Sequence, residues 1–341
     1  MSCIFGWDIG GAHLKLGVVD HGSIIAMRQI ACPLWLGLDR LAAAMDEALT
    51  GLPPADHHAV TMTGELVDLF LSRDDGVTQI SRAVAARFGA EAVRFWSLEG
   101  FLSSEAALAR PETVASANFH ATASLVAAKL PAALLIDIGS TTTDIIRIAG
   151  GRADIMAGDD TSRMVSGELV YSGVVRTPVM AVVETMPFAG QLIPVMAEHF
   201  ATMADVHRLC GTLPDHADLH PSADGRGKSA GESRVRLARM IGRDAAVAGN
   251  EAWTVCAQAV ASAQLGKLER AARLVSTASL ASDAPVIGAG VGRFLAIELA
   301  ARLARPYRSI GDLVQASSGL ADSVADAAPA ASVALLLSSS A

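Results

Sequence analysis

Two short runs carry the residue types from which phosphate chemistry is built. Asp8-Ile9-Gly10-Gly11 is followed by Lys15, and Asp137-Ile138-Gly139-Ser140-Thr141-Thr142-Thr143 repeats the Asp-Ile-Gly kernel further along the chain. A turn that approaches a phosphate closely needs residues without bulk and with available backbone donors, which is what glycine after a strand-end aspartate provides. Gly10, Gly11, Gly139 and Ser140 meet that need. Lys15 adds a compact positive charge suited to phosphate, and Thr141, Thr142 and Thr143 add hydroxyl donors. Asp8 and Asp137 are poor partners for an anion. They are good partners for Mg²⁺ held through water, the metal then bridging phosphate oxygens. The sequence therefore predicts a magnesium-dependent polyphosphate site.

The two runs are parts of a longer repeat. At one constant offset, Asp8, Gly10, Lys15 and Gly22 align with Asp137, Gly139, Asp144 and Gly151, and each copy reads as strand, glycine turn, strand. Hydrophobic periodicity predicts a helix over 38–49, a strand over 59–63, a helix over 76–88 and a strand over 92–97. Pro111 is expected to open one helix running to Lys129, with a boundary near Pro131. The alternation is α/β. A first lobe over 1–130 and a second over 131–341 follow, with an irregular insertion at about 158–230 and a C-terminal helix able to return to the first lobe. Beyond the insertion come an arginine-rich helix and Pro285-Val-Ile-Gly-Ala-Gly-Val-Gly292, a strand feeding a helix over 293–303.

The 341 residues are enough for two domains. Half of them (51%) are hydrophobic and only 4% aromatic, so the cores must be built from small aliphatic side chains. No run of about 18 apolar residues is free of charge, which argues against a membrane span, and Met1 leads straight into a strand without a signal-peptide pattern. A cytoplasmic protein is expected. Cys3, Cys32, Cys210 and Cys256 form no CxxC pair and are expected to be free thiols. A net charge of −8 offers no basic stripe for nucleic acid, so the expected partners are small molecules, with a homodimer compatible with the sequence.

Other signals read as structural. Asp215-His216-Ala-Asp218-Leu-His220 has zinc-like residue types in what reads as a flexible loop. Ser222 to Ser229 lacks the P-loop spacing; as a long loop it could carry Arg226 or Lys228 toward phosphate. Arg234, Arg236, Arg239 and Arg243 read as a solvated helix face. Asn118 and His120, on the helix leading into the second lobe, read as buried or cleft-wall hydrogen-bonding residues rather than catalytic ones.

Taken together, the two Asp loops and Gly288-Ala-Gly-Val-Gly292 resemble the two phosphate motifs and the adenosine motif of the actin, sugar-kinase and heat-shock chaperone superfamily. Thr63-Gly-Glu-Leu66, the triple threonine and Gly167-Glu-Leu-Val-Tyr-Ser-Gly-Val-Val-Arg-Thr-Pro178 resemble its hydantoinase A and oxoprolinase branch. Ala117-Asn-Phe-His-Ala-Thr-Ala123 and Arg236-Leu-Ala-Arg-Met-Ile-Gly-Arg-Asp244 are similar to a short, tetrahydromethanopterin-linked member related to the methanofuran-pathway aminomethylfuran condensing synthase. The resemblance implies an actin-like (ribonuclease H-like) ATPase fold of two duplicated lobes with a cleft between them.

It implies further a transferase that joins a furanylmethyl diphosphate to the phenol of a γ-glutamyl-tyramine or tyrosine-type acceptor, releasing diphosphate. ATP binding is allowed by the motifs, but ATP is not expected to be consumed. In this reading Asp8, Lys15, Glu65 and Asp137 are catalytic. Glu65, in a turn expected to face the cleft, would deprotonate or orient the phenol, or else serve as a helix N-terminal carboxylate. Gly288 and Gly290 would seat nucleotide or substrate, and Tyr171 and Arg176 would border the acceptor or the diphosphate. The same loops would equally serve an ATP-dependent kinase or an oxoprolinase-like hydrolase, a nucleotide-gated binding protein or, with no companion motif, an Asp-nucleophile phosphohydrolase.

Overall fold

The computed structural model describes residues 3–276 and 280–340. Two compact units emerge from it: Met1–Leu135 with Ile146–Asp160 and Arg308–Ala341, and Ile136–Ile145 with Thr161–Tyr307. The division therefore departs from a single cut near Pro131: the C-terminal segment belongs to the first unit because its helix covers the first sheet.

The chain opens with β1 (Ile4–Ile9), β2 (His13–Asp20) and β3 (Ser23–Ala31), continues through α1 (Leu38–Leu49), β4 (His57–Met62) and α2 (Arg73–Phe88), and completes a sheet with β5 (Val93–Ser97) and β6 (Gly100–Ser103). The order is β3-β2-β1-β4-β5-β6. β2 runs antiparallel to β1 and β3, whereas β4 is parallel to both β1 and β5. α1 buries Leu41, Ala44, Met45 and Ala48, an i, i+3, i+4, i+7 stripe, and packs them into the core of Phe5, Trp7, Leu14 and Leu16. α2 starts where Ser72 accepts a hydrogen bond from the Asp75 amide and ends at Gly89, whose φ is +86°.

Short helices α3 (Ser104–Ala109) and α4 (Pro111–Val114) precede α5 (Asn118–Lys129). The single helix expected over 111–129 is thus broken. Ser116 is the cause: its φ is +50°, a left-handed conformation that no α-helix continues through. Its hydroxyl is used elsewhere, as described below.

β7 (Ala132–Ile138), β8 (Thr143–Ala149) and β9 (Arg152–Asp154) repeat the first three strands at the offset found in the sequence. Gly22 and Gly151 hold equivalent turns at φ of +74° and +69°. α6 (Asp160–Ser166) and β10 (Leu169–Val170) follow, then a hairpin of β11 (Thr185–Phe188) and β12 (Gln191–Pro194), and helices α7 (Met203–Cys210), α8 (Ala230–Arg239) and α9 (Asn250–Val275). β13 (Val286–Ala289) feeds α10 (Arg293–Arg302). The second sheet has the order β10-β8-β7-β13-β14, where β14 is Tyr307–Ser309, and β9 pairs with β8.

The stretch 158–230 is more ordered than expected. Val179, Met186, Met203 and Val206 bury against Leu237 of α8 and Trp253 and Val260 of α9, and a capping box of Thr202 and Asp205 starts α7. Arg236 also departs from the expected solvated face. It is wholly buried, with its guanidinium 2.7 Å from Asp205 and 3.0 Å from Asp224.

Two helices close the chain, α11 (Ala321–Asp326) and α12 (Ala328–Ser340). α12 lies on β1, β2 and β4 and beside α5, with Ala328 to Ala334 all buried. It can come so close because Gly6 and Gly17 face each other across β1 and β2. A Cβ on Gly6 would collide with the Ala330 carbonyl oxygen, and one on Gly17 would lie 3.3 Å from the Ala331 backbone. Among the described residues, no helix is long and apolar enough to cross a membrane.

Candidate functional site

In the first unit, β1 and β2 are joined by a turn in which the Gly10 amide donates to the His13 carbonyl at 2.9 Å. Asp8 and Lys15 stand opposite each other in register, and the Lys15 ammonium lies 3.5 Å from the Asp8 carboxylate. Thr63, after β4, donates its amide to the Ile9 carbonyl at 3.0 Å, so the Thr-Gly-Glu turn is fixed beside this loop. The structure therefore brings Asp8, Gly10, Gly11 and Lys15 together.

Glu65 sits differently from the expected cleft-facing position. Its side chain is fully buried. Oε1 accepts from the Ser116 hydroxyl at 2.8 Å and lies 3.4 Å from the Arg73 guanidinium, while Oε2 has no hydrogen-bond partner among the described residues. Arg73 also donates to Ser116 Oγ at 2.7 Å and pairs with Asp160 at 3.3 Å. Burial raises the Glu65 carboxyl above the ordinary value, opposed by the bonds from Ser116 and Arg73. The left-handed Ser116 that interrupts the helix is thus the residue that delivers a donor to Glu65. Sequence periodicity gave no sign of it.

In the second unit, the turn after Asp137 has the same construction, with the Gly139 amide donating to the Thr142 carbonyl at 2.9 Å. Asp144 occupies the place of Lys15 and is paired with a buried Arg163 at 2.7 Å. Ser140, Thr141 and Thr142 are partly exposed. Thr143 is not available as a phosphate donor: it is wholly buried and its hydroxyl donates to the Ser172 carbonyl at 2.7 Å. The alternation of β8 turns that side chain inward.

The segment 172–177 clasps this second loop. Val174 donates to the Gly139 carbonyl, Val175 and Arg176 donate to that of Ser140, and the Thr177 hydroxyl donates to that of Thr141. At Gly173 any Cβ would collide with the backbone of Ser140 and Thr141. Arg176 and the half-exposed Tyr171 are thereby carried next to the loop. Gln264 of α9 holds the clasp from behind, its amide donating to Ser172 Oγ at 3.0 Å and the Gly173 carbonyl at 2.9 Å while its oxygen contacts His207 Nε2 at 2.8 Å. Burial lowers the His207 pKa, so the ring is neutral and donates from Nε2.

The third glycine cluster lies against the same loop. Gly290 has φ +79°, and a Cβ there would run into the Ile138 carbonyl and reach 2.6 Å from Asp137 Oδ1. The Gly292 amide donates to the Ile138 carbonyl at 2.8 Å. A Cβ at Gly288 would lie 2.6 Å from the Tyr307 ring.

The histidine and acid segment is tied down by ion pairs: Asp218 is 2.6 Å from Arg208 and 3.2 Å from Lys228, which also donates to the Asp218 carbonyl. Lys228 is thus committed within its own unit. Among the described residues no group of three or more His, Cys, Asp or Glu side chains is arranged to hold a metal. A cage is not what Mg²⁺ bound to a polyphosphate requires, since it keeps several waters and takes one or two carboxylates. The nearly buried Asp8 and Asp137, each beside a glycine turn, fit that limited role. The four cysteines are free thiols, with burial pushing Cys32 up to about 11.

A nucleotide-free acetone carboxylase, from work on ATP-dependent acetone carboxylation, superposes with a TM-score of 0.53 at 11% identity, covering 87% of this chain and 67% of that chain. The fold is α/β and actin-like, and β3-β2-β1-β4-β5 with β2 reversed is its ribonuclease H-like core. A Methanocaldococcus jannaschii protein named (4-{4-[2-(gamma-L-glutamylamino)ethyl]phenoxymethyl}furan-2-yl)methanamine synthase is 31% identical over 242 residues, 71% of this chain and 72% of its own length. A protein of the same name from Methanococcus vannielii is 30% identical over 111 residues, 33% of this chain and 50% of its own. The hydantoinase/oxoprolinase family model matches residues 56–330, most of the sequence. By that match and by its relatives, the chain belongs to the hydantoinase/oxoprolinase family.

Proposed function

We propose that this protein is a transferase of methanofuran-type cofactor biosynthesis, joining an aminomethylfuranyl-methyl diphosphate to the phenol of a γ-glutamyl-tyramine acceptor. The observation that carries the reading is the 31% identity, over most of both chains, to a synthase whose name describes a phenoxymethyl-furan ether. In the reaction the phenol oxygen bonds to the furanylmethyl carbon, the bond from that carbon to the diphosphate oxygen breaks, and the phenol proton leaves to a base or to water. The furan ring stabilises the developing cation, so the protein's main task is to stabilise departing diphosphate.

Lys15 and the amide of Gly11 suit that task in the first unit; Ser140, Thr141, Thr142 and Arg176 suit it in the second, while the Gly10 amide is held inside its own turn by the His13 carbonyl. A well-aimed donor of this kind contributes about 10²–10³ in rate. Mg²⁺ held through water by Asp8 or by Asp137 would neutralise charge on the leaving group. Buried Glu65 acts by positioning Arg73 and Ser116 rather than by touching the phenol.

The test is diphosphate release with Mg²⁺, the furanylmethyl diphosphate and γ-glutamyl-tyramine, beside an ATP-hydrolysis assay. Diphosphate formed only with both substrates and without ATP supports the reading. ATP turnover alone replaces it with a kinase or an oxoprolinase-like hydrolase.

A further inference from the structure

β1, β3 and β4 run in one direction, so their carboxyl ends form one rim of the first sheet, the side on which open α/β sheets bind ligands. The glycine loop Gly10-Gly11 follows β1, a single helical turn at Leu34–Leu36 follows β3, and another at Gly64–Leu66 follows β4. These three segments are packed on one another. The Leu34 amide donates to the Gly11 carbonyl at 3.1 Å, a Cβ on Gly64 would lie 2.8 Å from Leu34 Cδ2, and one on Gly11 would lie 2.7 Å from Val67 Cγ1.

Each turn buries an anchor and leaves apolar neighbours in solvent. Leu34 and Glu65 are buried, as is Phe70 beyond the second turn, whereas Trp35 is 39% exposed, Leu36 61%, Leu66 44%, Leu69 38% and Leu71 99%. Single exposed leucines are ordinary on a protein surface. Five large apolar side chains in two segments beside one glycine loop are a concentration that the core of the first unit does not use, and such a concentration marks a binding site. Its position selects the ligand. Lys15 and the Gly11 amide suit an anion at the loop, so a molecule that covers both loop and shelf has a phosphate end and an apolar end. The hydroxyls of a sugar gain no hydrogen bonds from leucine side chains. A small aromatic ring buries its faces there, and the Trp35 indole offers it a flat partner.

We propose that this shelf is the subsite for the furan ring of the diphosphate substrate, the ring lying against Trp35, Leu36 and Leu66 while its diphosphate lies on the glycine loop. The identity of the ring rests on the transferase reading. The shelf gives the protein a preference for a ring-bearing diphosphate over diphosphate itself, so the leaving group is held less firmly once its bond to the ring has broken.

The sequence has four tryptophans, of which Trp7, Trp96 and Trp253 are buried, so acrylamide quenching of the fluorescence reports on Trp35. The ligand for the test is 2-(furan-2-yl)ethylphosphonyl phosphate, in which a CH₂ group replaces the oxygen whose bond to carbon breaks. Ethylphosphonyl phosphate, which keeps the head group without the ring, is the control, and both are added with Mg²⁺. The furan compound is expected to bind roughly tenfold or more tightly than the control and, at saturation, to cut acrylamide quenching about twofold. Leu36→Ser and Leu66→Ser, both at exposed positions, are expected to remove most of that difference in affinity and to leave control binding unchanged. No saturable binding of the furan compound, equal affinities for the two, equal protection of Trp35 by both, or affinities unchanged in the variants overturns the proposal. Protection that rises with protein concentration in the absence of ligand overturns it too, and assigns the shelf to a second copy of the chain. Synthesis assays on the same variants separate the two claims. Synthesis with an unchanged KM for the diphosphate substrate would remove the subsite and leave the transferase. Shelf-dependent binding without synthesis would remove the transferase and leave a site for an aryl-bearing diphosphate.

Discussion

At the residue scale, Glu65 and His58 are buried ionisable groups with opposite consequences. The Glu65 carboxyl is raised with burial as the largest cause, so its anion is disfavoured in the fold even with Arg73 nearby, and the penalty grows as pH rises above the ordinary carboxylate range. Glu65→Gln is therefore expected to melt no lower than the parent at pH 7, while losing roughly tenfold or more in kcat because the amide oxygen still accepts from Ser116 but no longer supplies the negative charge that orients the Arg73 guanidinium. Full turnover in that variant would remove Glu65 from the positioning role. His58 accepts from Trp7 Nε1 at 3.0 Å, stacks on Phe88 at 3.8 Å and has its pKa pushed down to about 4 chiefly by desolvation. A base whose folded pKa lies below its unfolded value contributes fully above about pH 6.5 and loses that contribution as pH falls toward 4, here up to about 3 kcal/mol. His120 and His207 shift in the same direction. Melting temperatures measured from pH 7.5 to 4.5 are expected to fall, and to fall less in His58→Gln; an equal fall in both would show that His58 is not a main cause.

At the scale of elements, the two Asp-Gly hairpins were legible in the sequence, because a turn with one hydrogen bond and a following positive-φ glycine leaves a local signature. Gly10 and Gly139 make the same 2.9 Å bond, and Gly22 and Gly151 end the same strand. The helix over 38–49 and the strand-to-helix passage into α10 were legible for the same reason. What was not legible depends on residues distant in the chain. Nothing local distinguishes Thr143 from Thr142, yet Ser172 claims the hydroxyl of one and not the other. Arg236 shares helical spacing with solvated arginines and is buried because Asp205 and Asp224 meet it. The break at Ser116 likewise serves a glutamate on another element. The clasp on the second loop is of this long-range kind and makes a sharp prediction. Gly173→Ala places a methyl group into the backbone of Ser140 and Thr141, neither of which can swing aside, so a loss of about 1–3 kcal/mol is expected with a larger drop in kcat than in substrate binding. Gln264→Leu removes two donors from the same clasp and is expected to reproduce the kinetic change. Unchanged kcat in both variants would show that the clasp does not set the loop's geometry.

At the scale of the whole molecule, the first unit draws on three separate stretches of chain, and its last piece follows the second unit in sequence. The first two turns of α12, Ala328 to Ala334, are enclosed and almost wholly apolar: β1, β2 and β4 lie beneath the helix, α5 beside it, and Val333 packs with Ala59, Trp96 and Ala121. Removing it would uncover Ile4, Val19 and Ile24 along with the flat seat at Gly6 and Gly17. Burying a side chain of the Val or Leu type contributes roughly 1.5–3 kcal/mol, and a domain is stable by only about 5–15 kcal/mol, so several such losses at once approach the whole margin. A chain ending at Ala327 is therefore expected to lose the cooperative melting of the first unit and to bind a hydrophobic dye. Gly6→Leu, which keeps every residue of the helix but blocks its seat, should show the same defect more strongly than Gly22→Leu, where the added side chain meets open space and only the positive φ is strained. If the truncated chain melts like the parent, α12 is a passenger on the sheet. If Gly6→Leu fails with it, the close approach of that helix is what holds the sheet carrying Asp8 and Lys15 in its folded form.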